Sequence, residues 1–311
     1  MGMIHVIIKE YKNFGMSSSI KSALWMLSAS VNFVILNALV KYLSANYDIS
    51  QIIFFRSLFA VIFLIPFIYK DGIKSLKTHS IKFQVIRSFI AVAAMYLWFY
   101  SIANIPLAKA TAINFTAPVF GAIFAIYFLK EKVRKRRIIA IILSFLGAII
   151  IIKPGLINFE INVLLVLIAS ILMGLAAIFI KKLSMLDHPN SVVFYMPLLL
   201  SIMSFIPCLM NWRSPTLLDA SLLIFTGFSA ILAHLAITKA FTLSDATYVL
   251  IFDYFRLPLT AILAFYLFRE TTNSSVWIGG LLIFFSSSYI ISREKISEKK
   301  ETPSQLAKKV Q

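Results

Sequence analysis

Residues 122–131 read AIFAIYFLKE and residues 261–270 read AILAFYLFRE, two versions of one phrase set 139 positions apart. They share Ala122 with Ala261, Ile123 with Ile262, Ala125 with Ala264, Tyr127 with Tyr266, and the closing Glu131 with Glu270. The same shift continues downstream through Ile139 and Ile278, Phe145 and Phe284, and Ile151-Ile152 and Ile290-Ile291. A shift of 140 pairs Leu24 with Leu164, Leu27 with Leu167, Ala29-Ser30 with Ala169-Ser170, Lys41 with Lys181, and Leu43-Ser44 with Leu183-Ser184. One apolar window can match another by chance. Three windows that agree on the offset to within one residue define an internal repeat.

Working outward from the repeat, the chain is 311 residues long, 60% hydrophobic and 14% charged, with a mean hydropathy of +0.88. A soluble domain draws about a quarter of its residues from Asp, Glu, Lys and Arg. That shortfall excludes a soluble enzyme and a disordered chain and makes this an integral membrane protein. Cys208 is the single cysteine, so no intramolecular disulfide framework and no redox pair can form. The net charge of +17 sits in short clusters between apolar runs, which topology explains better than nucleic acid does. The first 22 residues carry Lys9, Glu10, Lys12 and Lys21 and lack the apolar core of a signal peptide. Val6 occupies the position where a myristoylation motif needs Ser or Thr.

An apolar run of about 20 residues crosses a bilayer core of about 30 Å. The sequence predicts ten such spans: Ala23–Tyr42, Gln51–Ile68, Phe83–Ile102, Leu107–Leu129, Ile138–Ile152, Asn162–Ile180, Val192–Met210, Leu217–Thr238, Ala246–Phe268 and Val276–Ile291. Most of the 30 Lys and Arg then fall on the side of the amino terminus, with Lys41, Lys153, Arg213 and Arg269 opposite. The positive-inside rule makes both termini cytoplasmic. Five spans per half is an odd number, so the halves enter the membrane from opposite sides. The expected fold is all-α and integral to the membrane: ten transmembrane helices as two inverted five-helix repeats, residues 23–152 and 162–291. A cytoplasmic segment, 1–22, precedes them, and a polar, disordered cytoplasmic tail, 292–311, follows. Inverted repeats around a midplane site are the architecture of secondary transporters.

Several residues carry this expectation further. The chain resembles the EamA-type branch of the drug/metabolite transporter superfamily over about residues 20–292. The likeness rests on Phe55-Arg56, Ile105-Pro106-Leu107-Ala108, the two Glu-terminated phrases and Phe252-Asp253-Tyr254-Phe255-Arg256-Leu257. Within that family it looks most like carriers of amino-acid-like metabolites, S-adenosylmethionine uptake carriers among them. In those carriers the ninth helix resembles Arg followed three residues later by Glu, whereas here Asp253 precedes Arg256. The resemblance implies a permease of a bacterial inner membrane, importing S-adenosylmethionine or an amino-acid-like carboxylate. Export of amino acids or drug-like metabolites is the alternative direction, with a non-transporting membrane scaffold or an intramembrane lipid enzyme as the remoter alternatives.

An ionised side chain at mid-bilayer costs about 2.5 to 3.5 kcal/mol on insertion scales, so each one calls for a reason. Asp253 and Arg256, three apart on one helix face, are either a structural ion pair or a pair that opens to bind substrate or a proton. Asp253 is the proton-coupling candidate. Arg56 and Arg87 have no acid in their own spans and are candidates for substrate binding or gating, snorkelling being the plain alternative. Asn114 is the repeat equivalent of Asp253, which places it, with Tyr254, in the same candidate group; Thr111 and Thr116 flank it. Pro118 and Pro258 are expected to kink paired helices, and Glu131 and Glu270 to be structural, bonding to adjacent Lys130 or Lys132 and to Arg269. Lys109 reads as an interface anchor, His234 as a packing donor, and Tyr96, Trp98 and Tyr100 as lipid-facing or interfacial.

No nucleophile elbow, metal-ligand spacing or Walker loop is present, so catalytic, metal and cofactor assignments are all empty, and transport is gradient-driven. The expected partners are a small-molecule substrate, membrane lipid and, as an open option, a second copy in a homodimer. Nucleic acid is not among them.

Overall fold

The structure is a computed structural model that describes residues 18–131, 135–152, 161–270 and the single positions 278, 281, 282 and 285. The described chain is helical throughout, without strands. Its helices are α1 (Ser18–Leu43), α2 (Ile49–Asp71), α3 (Ile81–Asn104), α4 (Leu107–Leu129), α5 (Lys135–Ile152), α6 (Ile161–Ser184), α7 (Pro189–Met210), α8 (Leu217–Leu243) and α9 (Ala246–Phe268). A short 3₁₀ turn, Ile73–Leu76, lies between α2 and α3. Eight of these helices are long and apolar enough to cross a membrane. The exception is α5, whose first turn holds Lys135, Arg136 and Arg137. The expected tenth span, Val276–Ile291, falls almost wholly outside the described residues, as do residues 1–17 and the tail.

Helices are the expected solution, because lipid offers backbone N–H and C=O groups no alternative partner. Their starts are capped where they meet water. Asp48 accepts from the backbone N–H of Ser50 at 2.8 Å, and Thr216 accepts from that of Asp219 at 3.2 Å. His188 accepts from Asn190 N–H ahead of α7, whose first residue is Pro189, where a missing N–H costs nothing.

The outer helix faces are apolar, while a few charges are buried among the helices. Tyr127, Phe128 and Ile206 are exposed, whereas Arg56 and Arg87 are the largest fully buried side chains. Small residues let the helices close around this interior. A Cβ on Gly174 of α6 would come within 2.9 Å of the Ala117 carbonyl and the Gly121 amide of α4, so the two helices cross backbone to backbone there. Gly227 of α8 lies against Phe59 and Ala60 of α2 in the same way.

The helix ends are tied by polar pairs that recur under the repeat offset. Gln51 on α2 donates from Nε2 to the Arg213 carbonyl at 2.7 Å and accepts from Arg213 N–H at 3.1 Å, holding the loop before α8. Asn190 on α7, its equivalent by a shift of 139, donates to Asp71 at 2.9 Å and to the Phe67 carbonyl at 3.3 Å, holding the end of α2. Beside it, in the turn between α6 and α7, Asp187 gathers four donors: Thr78 Oγ1 at 2.6 Å, His79 N–H at 2.8 Å, His79 Nδ1 at 3.0 Å and Gln84 Nε2 at 3.3 Å.

Burial alone would raise the Asp187 carboxyl, but the bonds from Thr78, His79 and Gln84 together hold it below the usual aspartate value. A carboxyl depressed in the fold adds stability above its unfolded pKa and loses that contribution as pH falls through the depressed folded value. Asp187→Asn should therefore lower the thermal midpoint of the purified protein at neutral pH, by the equivalent of about 1–3 kcal/mol. It should also flatten the acid limb of the stability profile. Superimposable midpoint-against-pH curves for variant and parent would contradict this.

Candidate functional site

Two helices are broken at mid-span. In α4, regular helix runs Leu107–Asn114, is interrupted at Phe115 and resumes as Thr116–Leu129. In α9, a turn of α-helix at Ala246–Val249 gives way to a 3₁₀ stretch, Leu250–Phe255, before regular helix returns at Arg256–Phe268. Both breaks have the same local cause. Pro118 lacks the N–H that would bond the Asn114 carbonyl, and Pro258 lacks the one that would bond the Tyr254 carbonyl, while each ring crowds the same oxygen. The expected matched kinks are thus tightened turns placed one helical turn before each proline. Asn114 and Asp253, related by the offset of 139, stand at these breaks.

The breaks open onto a cavity of ≈ 160 Å³. Its polar wall is Asn37 from α1, Arg56 from α2, Arg87 from α3, Asn114 from α4, His234 from α8, and Asp253 and Arg256 from α9. Its apolar wall includes Phe33, Met95, Trp98, Met173 and Met196. Five of the six candidate substrate residues therefore meet in one place. Tyr254 does not: its ring stacks on Phe115, centroids 5.2 Å apart, in a small apolar cluster with Ala112 and Leu257 away from the cavity wall. A 3₁₀ stretch turns consecutive residues by more than an α-helix does. Facing assignments drawn from α-helical spacing therefore drift there.

Within the cavity the polar contacts form two groups. Arg256 donates from Nη2 to Asp253 Oδ2 at 2.8 Å and to Asn114 Oδ1 at 3.3 Å, with its guanidinium carbon 5.6 Å from the centre of the Phe33 ring. Asn114 in turn donates to Ser170 Oγ at 2.9 Å. Arg256 so bridges the two broken helices, and α6 holds the amide that receives it. In the second group, Arg56 Nη2 lies 3.2 Å from His234 Nε2. A guanidinium only donates, so Nε2 accepts and the imidazole keeps its proton on Nδ1. Arg87 donates from Nη1 to the Val192 carbonyl and points Nη2 at Met196 Sδ, 3.7 Å away. Among the described residues, no carboxylate forms an ion pair with Arg56 or Arg87. Both are buried to within 2% of full enclosure, so neither snorkels to the interface.

His234 and Trp98 belong to the site against expectation. His234 is the only histidine within a predicted span, which was the available signal. Trp98 is buried, and its Nε1–H donates to Asn37 Oδ1 at 3.1 Å, whereas Tyr100 on the same helix is exposed. Ser170 was visible only as part of the repeated Ala-Ser pair. Thr116 Oγ1 bonds back to its own helix at Ile113 O, 3.0 Å away, which removes it from the cavity's chemistry.

Glu131 and Glu270 are structural over a longer reach than their sequence neighbours. Glu270, just past α9, accepts from the amides of Leu107 and Ala108 at 2.9 and 3.2 Å, capping the start of α4. Glu131, just past α4, accepts from the amides of Ala246 and Thr247 at 2.8 and 3.2 Å, capping the start of α9. Each broken helix thus ends in the carboxylate that caps the other. A lysine accompanies each cap. Lys41 donates to the Ile102 and Ile105 carbonyls at 3.3 and 2.8 Å and sits 3.4 Å from Glu270. Lys181 donates to the Phe241 and Ser244 carbonyls at 2.7 and 2.8 Å. Every residue in one clamp maps onto the other by a shift of 139 or 140.

Residues 20–153 and 161–292 match the EamA-like transporter family. The chain belongs to that family. It is a multi-pass membrane transporter of the EamA-type drug/metabolite group and not an enzyme. A riboflavin transporter of Vibrio cholerae is 30% identical over 287 residues, spanning 91% of this chain and 96% of that one. An S-adenosylmethionine uptake transporter of Rickettsia bellii is 31% identical, spanning 87% and 93%. A pseudopaline exporter of Pseudomonas aeruginosa is 26% identical, spanning 82% and 90%. A protein of solved crystal structure, 13% identical, superposes with a TM-score of 0.74 over 88% of this chain and 96% of its own, a likeness of fold alone.

A carboxylate at a helix start is worth about 1–2 kcal/mol through its hydrogen bonds and the helix dipole. Glu131→Gln and Glu270→Gln should each lower the thermal midpoint of the purified transporter by that order, and the double variant by about the sum. Midpoints equal to the parent's would show that the caps carry no stability.

Proposed function

We propose that this transporter is a secondary carrier of two inverted five-helix repeats, residues 23–152 and 162–291, that moves a small polar metabolite across a bacterial inner membrane by alternating access. Both termini face the cytoplasm in this reading, because that orientation gathers most of the Lys and Arg on one side. The observation that carries it is the cavity at the breaks of α4 and α9, walled by Arg56, Arg87, Asn114, Asp253 and Arg256. A midplane site between discontinuous helices is where secondary transporters hold their substrates.

The equivalent clamps at Glu131 and Glu270 support the inverted arrangement. Each fastens one end of the α4–α9 pair, so loosening one at a time would open the cavity to one side at a time. The pair of Asp253 and Arg256, 2.8 Å apart, is the element that a substrate or a proton would open, with Asp253 the proton acceptor. S-adenosylmethionine and amino-acid-like carboxylates are the first substrates to test. The names of similar proteins include both uptake and export, so an exporting direction is the second reading.

The test is counterflow in reconstituted vesicles loaded with S-adenosylmethionine, riboflavin, amino acids or carboxylates. At least one solute should show saturable counterflow, and Arg56→Ala or Asp253→Asn should reduce it by about 100-fold or more, the scale of losing a buried charged contact. Counterflow indifferent to both changes would remove those side chains from the mechanism.

A further inference from the structure

The cavity has a sign. Its titratable wall consists of Arg56, Arg87, His234, Asp253 and Arg256. His234 accepts a bond from Arg56 and is therefore neutral, and Asp253 and Arg256 offset each other as an ion pair. Arg56 and Arg87 are left without a carboxylate partner among the described residues, deep in the interior, where an uncompensated cation is costly. A second observation is independent of charge. The wall atoms that are buried and lack a hydrogen-bond partner are Arg56 Nε and Nη1, Arg87 Nε, His234 Nδ1 and Arg256 Nε. All of them are N–H donors.

We infer that the ligand of this cavity is a net-anionic organic molecule whose oxyanion, carboxylate or phosphate, accepts from the unpartnered N–H groups of the Arg56 guanidinium. Its apolar body lies against Phe33, Trp98 and the methionines. The inference rests on the carrier reading and narrows its substrate class: a cation without an oxyanion, or an uncharged molecule, would leave the charge of Arg56 and Arg87 uncompensated. Nε–H and Nη1–H leave the guanidinium from different edges, and each can donate to one oxyanion oxygen.

The test uses the purified full chain in detergent and probes that share one body. Phenylacetate is anionic, phenylacetamide neutral and phenethylamine cationic; phenyl phosphate separates the two oxyanion sources. One of the oxyanions should raise the thermal midpoint at about tenfold lower concentration than the amide or the amine, the least that a charge-assisted pair supplies. Arg56→Gln should erase that order. The unliganded variant should unfold no lower than the parent, because a buried unpaired charge has gone; a purely structural arginine would instead lower the midpoint. Arg56→Lys, which keeps the charge, should retain the preference at weaker affinity, and it serves if the Gln variant fails to fold. Equal stabilisation by amide and acid, no stabilisation by any probe, or an order that survives Arg56→Gln would each overturn the inference. If that happens while a neutral or cationic solute still shows counterflow, only the charge assignment falls. If no solute shows counterflow, the carrier reading beneath it falls too.

Discussion

A guanidinium in the middle of a bilayer has no water to turn to, and the fold is organised around two of them. Arg56 and Arg87 are enclosed by helices whose outer faces are apolar, and their immediate partners are an imidazole, a carbonyl and a thioether. None of these cancels charge. The core around them is apolar and the outer helix faces suit lipid, so the cavity is a cationic pocket that apolar packing would leave more costly still. The close crossings at Gly174 and Gly227 seal the helices around this interior without filling it.

The broken helices α4 and α9 meet the same constraint from the backbone side. A proline in a membrane helix removes a bond that lipid cannot replace, so a break is tolerated only where other protein groups or a cavity receive the freed atoms. Here the breaks put Asn114 and Asp253 at one level, and Arg256 joins them. At their far ends the two helices are capped crosswise by Glu131 and Glu270, with Lys41 and Lys181 closing the ends of α3 and α8.

Much of this could be read in the sequence. Hydropathy placed the spans that became α1 to α9 with shifts of a few residues at their ends, since hydropathy is blind to polar end turns such as Ser18 and Ser19 of α1 or Lys181, Lys182 and Ser184 of α6. The offset of 139 set Asn114 and Asp253 at one level of paired helices, Pro118 and Pro258 marked both helices for kinks, and the in-span charges include residues that line the cavity. Three features were out of reach. His234 and Trp98 face inward because of helix rotation, which a nearly uniform apolar pattern does not encode. The facing of Tyr254 depends on a 3₁₀ stretch rather than on α-helical spacing. The crosswise caps join residues more than 110 positions apart, and a glutamate beside a lysine gives no hint that its partner is a distant helix start.

Alternating exposure of one cavity is the central claim, and site-directed thiol labelling tests it most directly. In a Cys208→Ser background, a cysteine in place of Ala94 on the cavity wall would be challenged with a membrane-impermeant thiol reagent from each side of oriented vesicles. The account predicts labelling from both sides, with a transported solute shifting the balance between them. Labelling from one side only, unchanged by any solute, would contradict it.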